Sequence, residues 1–119
     1  MELMEEHSLG PFCPKYHRAV ELIGRRWTGA ILRALLSGVD RFSGMCETVP
    51  GLSDRMLAER LKELEAEGIV VRKVVPDTPV RVEYTLTQKG RDLEAVITAV
   101  SEWAECWDRA PAAEAAAQA

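Results

Sequence analysis

The 119-residue chain lacks the residue groupings that enzymes and metal proteins need. It has only two histidines, His7 and His17, and three cysteines without paired spacing. No nucleophile lies beside a recognisable base, and no glycine-rich loop fits a phosphate. A metal site built from Cys13, His17 and another thiol stays open as an alternative, although the paired ligands of a zinc site are missing. We therefore expect no catalysis, no metal and no other cofactor.

Long apolar runs and a basic leader are also missing. Residues 1–6 carry three acids where a secretory signal would be basic. No run approaches the ~18 apolar residues of a membrane span. The cysteines do not form a disulfide framework, which favours a reducing compartment. We expect a cytoplasmic protein with no membrane partner.

Charge is distributed unevenly along the chain, whose formal net charge is −4. Residues 1–12 carry three acids and no base, and residues 92–119 carry six acids and one base. Residues 13–91 hold 14 bases against 10 acids. Such runs are commonly no more than solvated faces, but a basic centre between acidic ends can also face a phosphate backbone.

Helical periodicity dominates the first half of the chain. The second helix is expected to have Thr28 as its N-cap, and Gly68 is a suitable left-handed residue after the fourth. The four segments are expected over 14–23, from Thr28 to Gly38, from Ser43 to Pro50, and from Ser53 to Gly68.

The fourth helix has two different faces. At 100° per residue, the leucines share one side and the polar residues lie near the opposite pole. The leucines are Leu57, Leu61 and Leu64; the polar face is Arg55, Glu59 and Lys62, flanked by Met56 and Glu63. This helix is expected to bury a leucine ridge and to present a face that forms hydrogen bonds.

Residues 69–75 and 80–86 are rich in Val, Thr and Tyr and predict two strands of a hairpin. Residues 76–79 form the turn. In the expected register Val75 opposes Val80, which also places Val71 opposite Tyr84 and Arg72 opposite Glu83. Arg72 and Glu83 could then form a cross-strand ion pair.

A last helix is expected over 88–109 with Thr87 as its cap, because apolar residues recur there at helical spacing. That stripe is broader than a core of about 100 residues needs, which favours a dimer interface. Alternatively, Trp103 and Trp107 cover the core of a monomer. The stripe is Leu93, Val96, Val100, Trp103 and Trp107, widened by Ile97 and Ala104.

The order of elements predicts an α+β, mostly α, winged helix-turn-helix with a two-stranded wing and a long C-terminal dimerisation helix. A generic α+β domain with the same elements is the alternative. Three segments are expected: a flexible N-terminal arm (1–12), the winged helix-turn-helix domain (13–109) and a disordered Ala-rich tail (110–119).

Several motifs sharpen this prediction, and their order and spacing over residues 12–107 resemble the HxlR-type family of bacterial winged-helix transcription regulators. Gly44 and Met45 depart from the family pattern, which has an acid and a leucine there. The motifs are Cys13-Pro14, Gly24-Arg25-Arg26-Trp27-Thr28, Arg41-Phe42-Ser43, Pro50-Gly51-Leu52-Ser53-Asp54-Arg55, Arg60-Leu61-Lys62-Glu63-Leu64-Glu65, Glu67-Gly68-Ile69-Val70 and Tyr84-Thr85-Leu86-Thr87-Gln88-Lys89-Gly90.

The resemblance implies a sequence-specific regulator of transcription that binds double-stranded DNA as a homodimer, with repression as the expected mode. A two-fold dimer requires a near-palindromic operator. The resemblance also implies that the last helix, together with N-terminal elements, forms the interface, and the candidates on that helix are Val96, Val100, Trp103 and Trp107. A winged-helix module that binds protein is the rival function.

The DNA-binding candidates follow from the expected docking of the fourth helix in the major groove. Ser53 and Arg55 are expected at base edges, with Met56 beside them. Glu59 could accept from cytosine or simply pair with Arg55. The remaining candidates contact phosphate or the minor groove: Arg41, Arg60 and Lys62 at phosphates, and Lys73 and Arg81 on the wing.

The resemblance further implies that Cys13 senses oxidants or electrophiles. A thiol near a helix N-terminus, with Lys15 and His17 close by, favours the thiolate. A purely structural cysteine is the alternative. Cys46 or Cys106 could resolve a disulfide, and Cys106 is preferred because it lies on the expected dimer helix. A small ligand in the dimer crevice is another possible signal.

Overall fold

Six helices and a two-stranded sheet make up residues 9–108, the part of the chain that this computed structural model describes. The expected tail over 110–119, and all of the expected arm except residues 9–12, lie outside it. The elements are α1 (Pro14–Ile23), α2 (Thr28–Leu36), α3 (Phe42–Thr48), α4 (Asp54–Ala66), β1 (Val70–Val75), β2 (Arg81–Leu86), α5 (Gln88–Arg91) and α6 (Glu94–Asp108).

The core lies between α2, α3, α4 and the start of β1. The expected leucine ridge of α4 is confirmed, because its three leucines are at most 2% exposed. Met45, at one of the positions that depart from the family pattern, is completely buried in α3. The core consists of Ile31, Leu32, Ala34, Leu35, Met45, Val49, Leu52, Leu57, Leu61, Leu64, Ile69 and Val70.

The ends of the helices agree with the sequence at α4 but not at α2. Ser53 caps α4 through its hydroxyl oxygen, which accepts from the Met56 N–H at 3.1 Å. Gly68 has a φ of +75°, as expected for a left-handed residue after a helix. The N-cap of α2 is Trp27, with a φ of +79°, and not Thr28. Thr28 is already the first residue of the helix and its side chain is buried, so it does not occupy the N-cap position.

The hairpin register differs from the prediction by one residue. Val75 opposes Arg81 and not Val80, so Arg72 lies opposite Tyr84 and Val71 opposite Thr85. Side chains alternate along a strand, and a one-residue shift exchanges its two faces. Because Val70 enters the core, Val71 must point away from it and is half-exposed. The expected Arg72–Glu83 pair is therefore wrong.

The C-terminal helical region is two helices and not one. Thr87 caps α5 as predicted, since its hydroxyl accepts from the Gly90 N–H. The chain then turns at residues 92–93 before α6 begins. Leu93 and Ile97 pack against the core, and Arg33 of α2 donates to the Ser101 hydroxyl at 2.7 Å. The short α5 lets the chain change direction between the wing and α6.

Gly90 is fixed by close packing. A Cβ at this position would lie 2.4 Å from the carbonyl oxygen of Ile69 and 2.8 Å from Leu86 Cδ2. We therefore expect Gly90→Ala to lower the free energy of unfolding by about 1–3 kcal/mol, the usual cost of overpacking. Urea denaturation followed by circular dichroism measures it.

Gly29→Ala is the matched control, because a Cβ at this position in α2 meets nothing within 4 Å. It should leave stability unchanged or raise it by up to about 1 kcal/mol through helix propensity. Equal stability of the Gly90→Ala variant and the wild type would contradict the packing argument.

Candidate nucleic-acid interface and thiol site

The polar face of α4 is held outward by the buried leucines on its other side. Arg55 has 89% of its side chain exposed, and Lys62 is exposed as well. Glu59 lies 3.8 Å from the Arg55 guanidinium, which is the pairing that the sequence left open. Exposed pairs at this spacing contribute only about 0.3–0.5 kcal/mol. Arg55 can therefore exchange Glu59 for another partner at little cost.

Ser53 and Met56 are less available than Arg55. The Ser53 hydroxyl oxygen accepts the capping hydrogen bond from the Met56 N–H, which leaves its proton and one lone pair for other partners. Met56 is half-buried and packs against the core. Ser53 and Met56 therefore stabilise the start of α4, and neither extends as far into solvent as Arg55.

Arg60 was expected to contact a phosphate, and the structure corrects this expectation. The residue is 8% exposed. Its Nε donates to the carbonyl oxygen of Arg26 at 2.9 Å, and its Nη1 donates to Glu63 Oε2 at 3.1 Å. Residue 60 lies three positions after Leu57 and four before Leu64, on the flank of the leucine ridge, and this turns the side chain inward. A guanidinium engaged in this way is not open to DNA.

The basic residues of the wing gather around one carboxylate, Glu83. The backbone of Arg41 bridges to Glu83, and the Tyr84 N–H donates to the carbonyl oxygen of Asp40 at 2.8 Å. Lys73 lies opposite Glu83 in the hairpin. The structure thus joins the loop before α3 to the wing and brings together two basic residues, Arg41 and Lys73, that are far apart in sequence.

Arg81 is the most constrained of the wing cations. Its Nε donates to Glu83 Oε2 at 2.9 Å, and its Nη1 pairs with Asp77. The Arg81 hydrogen bond lowers the pKa of Glu83, and the positive charges of Arg81, Arg41 and Lys73 reinforce the shift. Glu83 is therefore ionised at neutral pH and anchors Arg81, which leaves Arg41 and Lys73 as the more exposed cations.

Cys13 is the N-cap of α1, and its thiol is exposed. Its sulfur accepts from the Tyr16 N–H at 3.5 Å. Hydrogen bonds from the backbone amides of Tyr16 and Lys15 lower the pKa of Cys13, and the charges of Lys15 and Arg18 lower it further. The effects of the helix N-terminus and of Lys15 on the thiol were expected from the sequence. His17 was expected to be the other neighbour that favours the thiolate, but the second positive charge is that of Arg18.

The other two thiols lie in different surroundings. Cys46 on α3 is half-buried and donates to Asp54 Oδ1 at 3.1 Å. Burial raises the pKa of Cys46, and the hydrogen bond and negative charge of Asp54 add to it. Cys106 on α6 is exposed. The Asp54 contact was not anticipated, because nothing in the eight-residue separation from Cys46 indicates it.

Two helices expose apolar faces. Neither α1 nor α6 contains a buried residue. Phe12 precedes Cys13 in the chain, the Tyr16 N–H donates to its sulfur, and the two aromatic residues are 67% and 69% exposed. On α6 the exposed large hydrophobic residues are those expected at a dimer interface: Val96 at 40%, Val100 at 59%, Trp103 at 66% and Trp107 at 59%.

Neither a metal-binding cluster nor a membrane-spanning helix is found among residues 9–108. Within them, no three His, Cys, Asp or Glu side chains are grouped so that they could hold a metal ion. None of the helices there combines the length and the hydropathy needed to cross a membrane.

Known proteins with the same arrangement are regulators. Residues 22–111 match the family described as HxlR-like helix-turn-helix. The chain is 52% identical over 93 residues to the HTH-type transcriptional regulator YodB of Bacillus subtilis (strain 168), which covers 78% of this chain and 83% of YodB. Two solved structures are also similar, and with them the predicted winged-helix fold is confirmed.

The first of these structures is quinone-bound YodB from B. subtilis, with a TM-score of 0.67, 46% identity and coverage of 79% of this chain and 98% of that one. The second is the redox regulator HypR in its oxidised form, with a TM-score of 0.72, 38% identity and coverage of 79% and 96%.

The opposite pKa shifts of Cys13 and Cys46 predict selective alkylation. The thiolate is the reactive form, so a lowered pKa extends reactivity to lower pH and a raised pKa delays it. At pH 7, iodoacetamide should label Cys13 before Cys46, as peptide mass spectrometry would measure. The pH at which Cys13 reacts at half its maximal rate should lie below that of Cys46.

Arg18→Gln should move the half-maximal pH of Cys13 upward, because it removes a neighbouring positive charge. The same variant should not affect Cys46. Faster labelling of Cys46 than of Cys13 in the native protein would contradict the assignment.

Proposed function

The chain belongs to the HxlR-like helix-turn-helix family and is a DNA-binding transcriptional regulator; from this premise we propose that it represses as a homodimer and responds to electrophiles through Cys13. The DNA-binding part of the proposal, on which the other parts depend, is supported by the two faces of α4. One face is the buried leucine ridge, and the other carries Arg55, whose side chain is 89% exposed. We further propose a cytoplasmic location and no catalytic activity.

In this proposal α4 lies in the major groove. Arg55 reads guanine through two parallel hydrogen bonds, which contributes about 1–3 kcal/mol of discrimination. Glu59 either holds Arg55 until DNA arrives or accepts from cytosine. Lys62 contacts phosphate, and Ser53 donates its hydroxyl proton to the DNA near the start of the helix. Met56 supports the helix from its half-buried position.

The wing supplies contacts that do not depend on sequence. Arg41 and Lys73 lie on either side of Glu83 and are exposed, which suits them to phosphate or the adjacent minor groove. Arg81 contributes less directly, because Asp77 and Glu83 already hold its guanidinium. Its role is to fix the wing so that Arg41 and Lys73 keep their positions.

The proposed sensor is the exposed thiolate of Cys13, flanked by Phe12 and Tyr16. The relative solved with quinone bound supports an aromatic electrophile. The thiolate sulfur bonds to a ring carbon, and the displaced electron pair moves to a carbonyl oxygen, which takes a proton from water. The proton on that ring carbon then moves through water to the second carbonyl oxygen, which gives a hydroquinone thioether with no external oxidant.

A disulfide is the second proposed outcome. A diazene such as diamide takes one electron and one proton from Cys13 and the same from Cys106 of the partner subunit. An S–S bond forms between the two sulfurs, and the diazene becomes a hydrazine. Cys106 is preferred to Cys46 because it is exposed, whereas burial and Asp54 disfavour the Cys46 thiolate.

The homodimer is proposed from the apolar faces. Exposed apolar surface on two helices of so small a chain is unfavourable in water and marks an interface. Joining α6 to α6 of a second copy would cover its two exposed tryptophans. A two-fold axis there would also place two α4 helices for half-sites about one helical turn apart.

Binding to promoter DNA tests the proposal. Fluorescence anisotropy with the promoter flanking the chain's own gene should show tight, salt-dependent binding that exceeds binding to a scrambled fragment. Arg55→Ala should lower the preference for the promoter by about 10-fold or more. Arg91→Ala is the matched control, since it removes one exposed arginine from α5, outside the proposed interface.

The same titration tests the thiol. 1,4-Benzoquinone should release wild-type protein from the promoter but not Cys13→Ser. Release of both proteins would assign the signal elsewhere, including a ligand in the dimer crevice. Equal affinity for promoter, scrambled and other genomic DNA, with little salt dependence, would favour a module that binds protein.

The dimer has its own test. Val100→Glu should weaken self-association about tenfold or more, because it places an unpaired charge in the proposed interface. Val80→Glu is the matched control, since Val80 is 64% exposed at the wing tip and Val100 is 59% exposed on α6. Sedimentation velocity over a range of concentrations measures both. Identical association of the two variants would reject α6 as the interface.

A further inference from the structure

One turn links the helix that carries Cys13 to the helix that reads DNA. Residues 24–27 connect α1 to α2, and the Arg26 carbonyl oxygen in this turn accepts from Arg60 Nε at 2.9 Å. Arg60 lies at the middle of α4, 34 residues further along the chain. Its side chain is about one-tenth exposed, so water does not compete effectively for this hydrogen bond.

Arg60 belongs to a larger set of charges. Its Nη1 donates to Glu63 Oε2 at 3.1 Å and lies 3.9 Å from Glu59 Oε1. The other carboxylate oxygen of Glu63 lies 3.3 Å from Arg25 Nε, in the same turn as Arg26. Glu59 in turn lies 3.8 Å from Arg55. A continuous set of contacts therefore runs from the α1–α2 turn to the proposed base-reading arginine.

The same turn also contacts the start of the helix-turn-helix. A Cβ on Gly51 would lie 3.3 Å from Cη2 of Trp27, so the indole packs directly on the loop between α3 and α4. Gly51 and Trp27 both have positive φ angles, +86° and +79°. A positive φ is unfavourable for a tryptophan and persists only where surrounding contacts fix the residue. The α1–α2 turn is thus held both against α4 and against the loop that precedes α4.

The other end of α1 carries the thiol. Cys13 caps the first turn, and none of the ten residues of α1 is buried. Among the described residues, α1 packs on the hydrophobic core through Leu22 and Ile23, which are half-buried near its C-terminal end. The N-terminal end of α1, beside Cys13, therefore has little packing within residues 9–108 that opposes its displacement.

We propose that Arg60 is a positioning residue that transmits a displacement of α1 to α4, so that an adduct on Cys13 weakens DNA binding through the contact between Arg60 and the Arg26 carbonyl. The inference rests on the proposed function, because it requires that modification of Cys13 releases DNA. It assigns to Arg60 a role without any contact to DNA or to the electrophile.

Arg60→Lys tests this transmission, because lysine keeps the charge but loses the planar fork that bonds to both Arg26 and Glu63. Arg91→Lys is the matched control, since Arg91 also donates from Nη1 to a backbone carbonyl, that of Leu86 at 2.8 Å, away from α4. Promoter affinity is measured by anisotropy with and without 1,4-benzoquinone, and mass spectrometry measures adduct formation at Cys13.

In wild type and Arg91→Lys the quinone should lower promoter affinity by about fivefold or more, the usual scale of coupling between sites. In Arg60→Lys the adduct should form to the same extent but change affinity less than about twofold, because the contact that carries the coupling is broken. Before quinone treatment, Arg60→Lys should also show a smaller preference for the promoter over scrambled DNA than the wild type shows. A loss of stability alone would not produce this change.

Equal loss of affinity in wild type and Arg60→Lys would overturn the inference and leave the proposed sensor intact. No loss in wild type would reject the sensor, and the inference with it. If circular dichroism shows Arg60→Lys to be unfolded, hydrogen–deuterium exchange of the wild-type protein replaces it, and the adduct on Cys13 should raise exchange both in residues 24–27 and in α4. Unchanged exchange in α4 after complete adduct formation would overturn the inference.

Discussion

The leucine ridge of α4 is the contact on which the rest of the structure depends. Leu57, Leu61 and Leu64 are at most 2% exposed, and full burial of each such side chain contributes about 1.5–3 kcal/mol. Since these leucines fix the rotation of the helix about its axis, they also decide which residues point to solvent. The exposure of Arg55 is a consequence of what is buried behind it.

Charge on this helix serves two different purposes, and position relative to the ridge separates them. Arg55 projects to solvent with a weak partner, whereas Arg60 is enclosed and fully engaged. A buried guanidinium that lost its acceptors would be strongly unfavourable, so the α1–α2 turn and Glu63 must stay beside Arg60. The same residue type is exposed at one site and enclosed at the other, and the chain of contacts joins the proposed DNA-reading surface to the turn.

The thiols follow the same logic of surroundings. Cys13 gains hydrogen bonds and positive charge at the start of an exposed helix, while Cys46 is half-buried beside Asp54, and their pKa values shift in opposite directions. Neither α1, which Cys13 caps, nor α6, which carries the exposed tryptophans, contains a buried residue. Reactivity and incomplete burial thus occur together, at the surfaces where a second copy of the chain is proposed to bind.

Periodicity and capping depend on residues close in the chain, so the sequence is sufficient to predict the first four helices and the hairpin, the Ser53 cap, the left-handed Gly68, the leucine ridge and the apolar stripe of the last helix. The tertiary structure alone decided the hairpin register, since burial of Val70 sets which face of the strand turns inward. It also decided that Arg60 is enclosed, because its acceptor is a backbone carbonyl 34 residues away. Contacts between distant segments leave no periodic trace in a sequence.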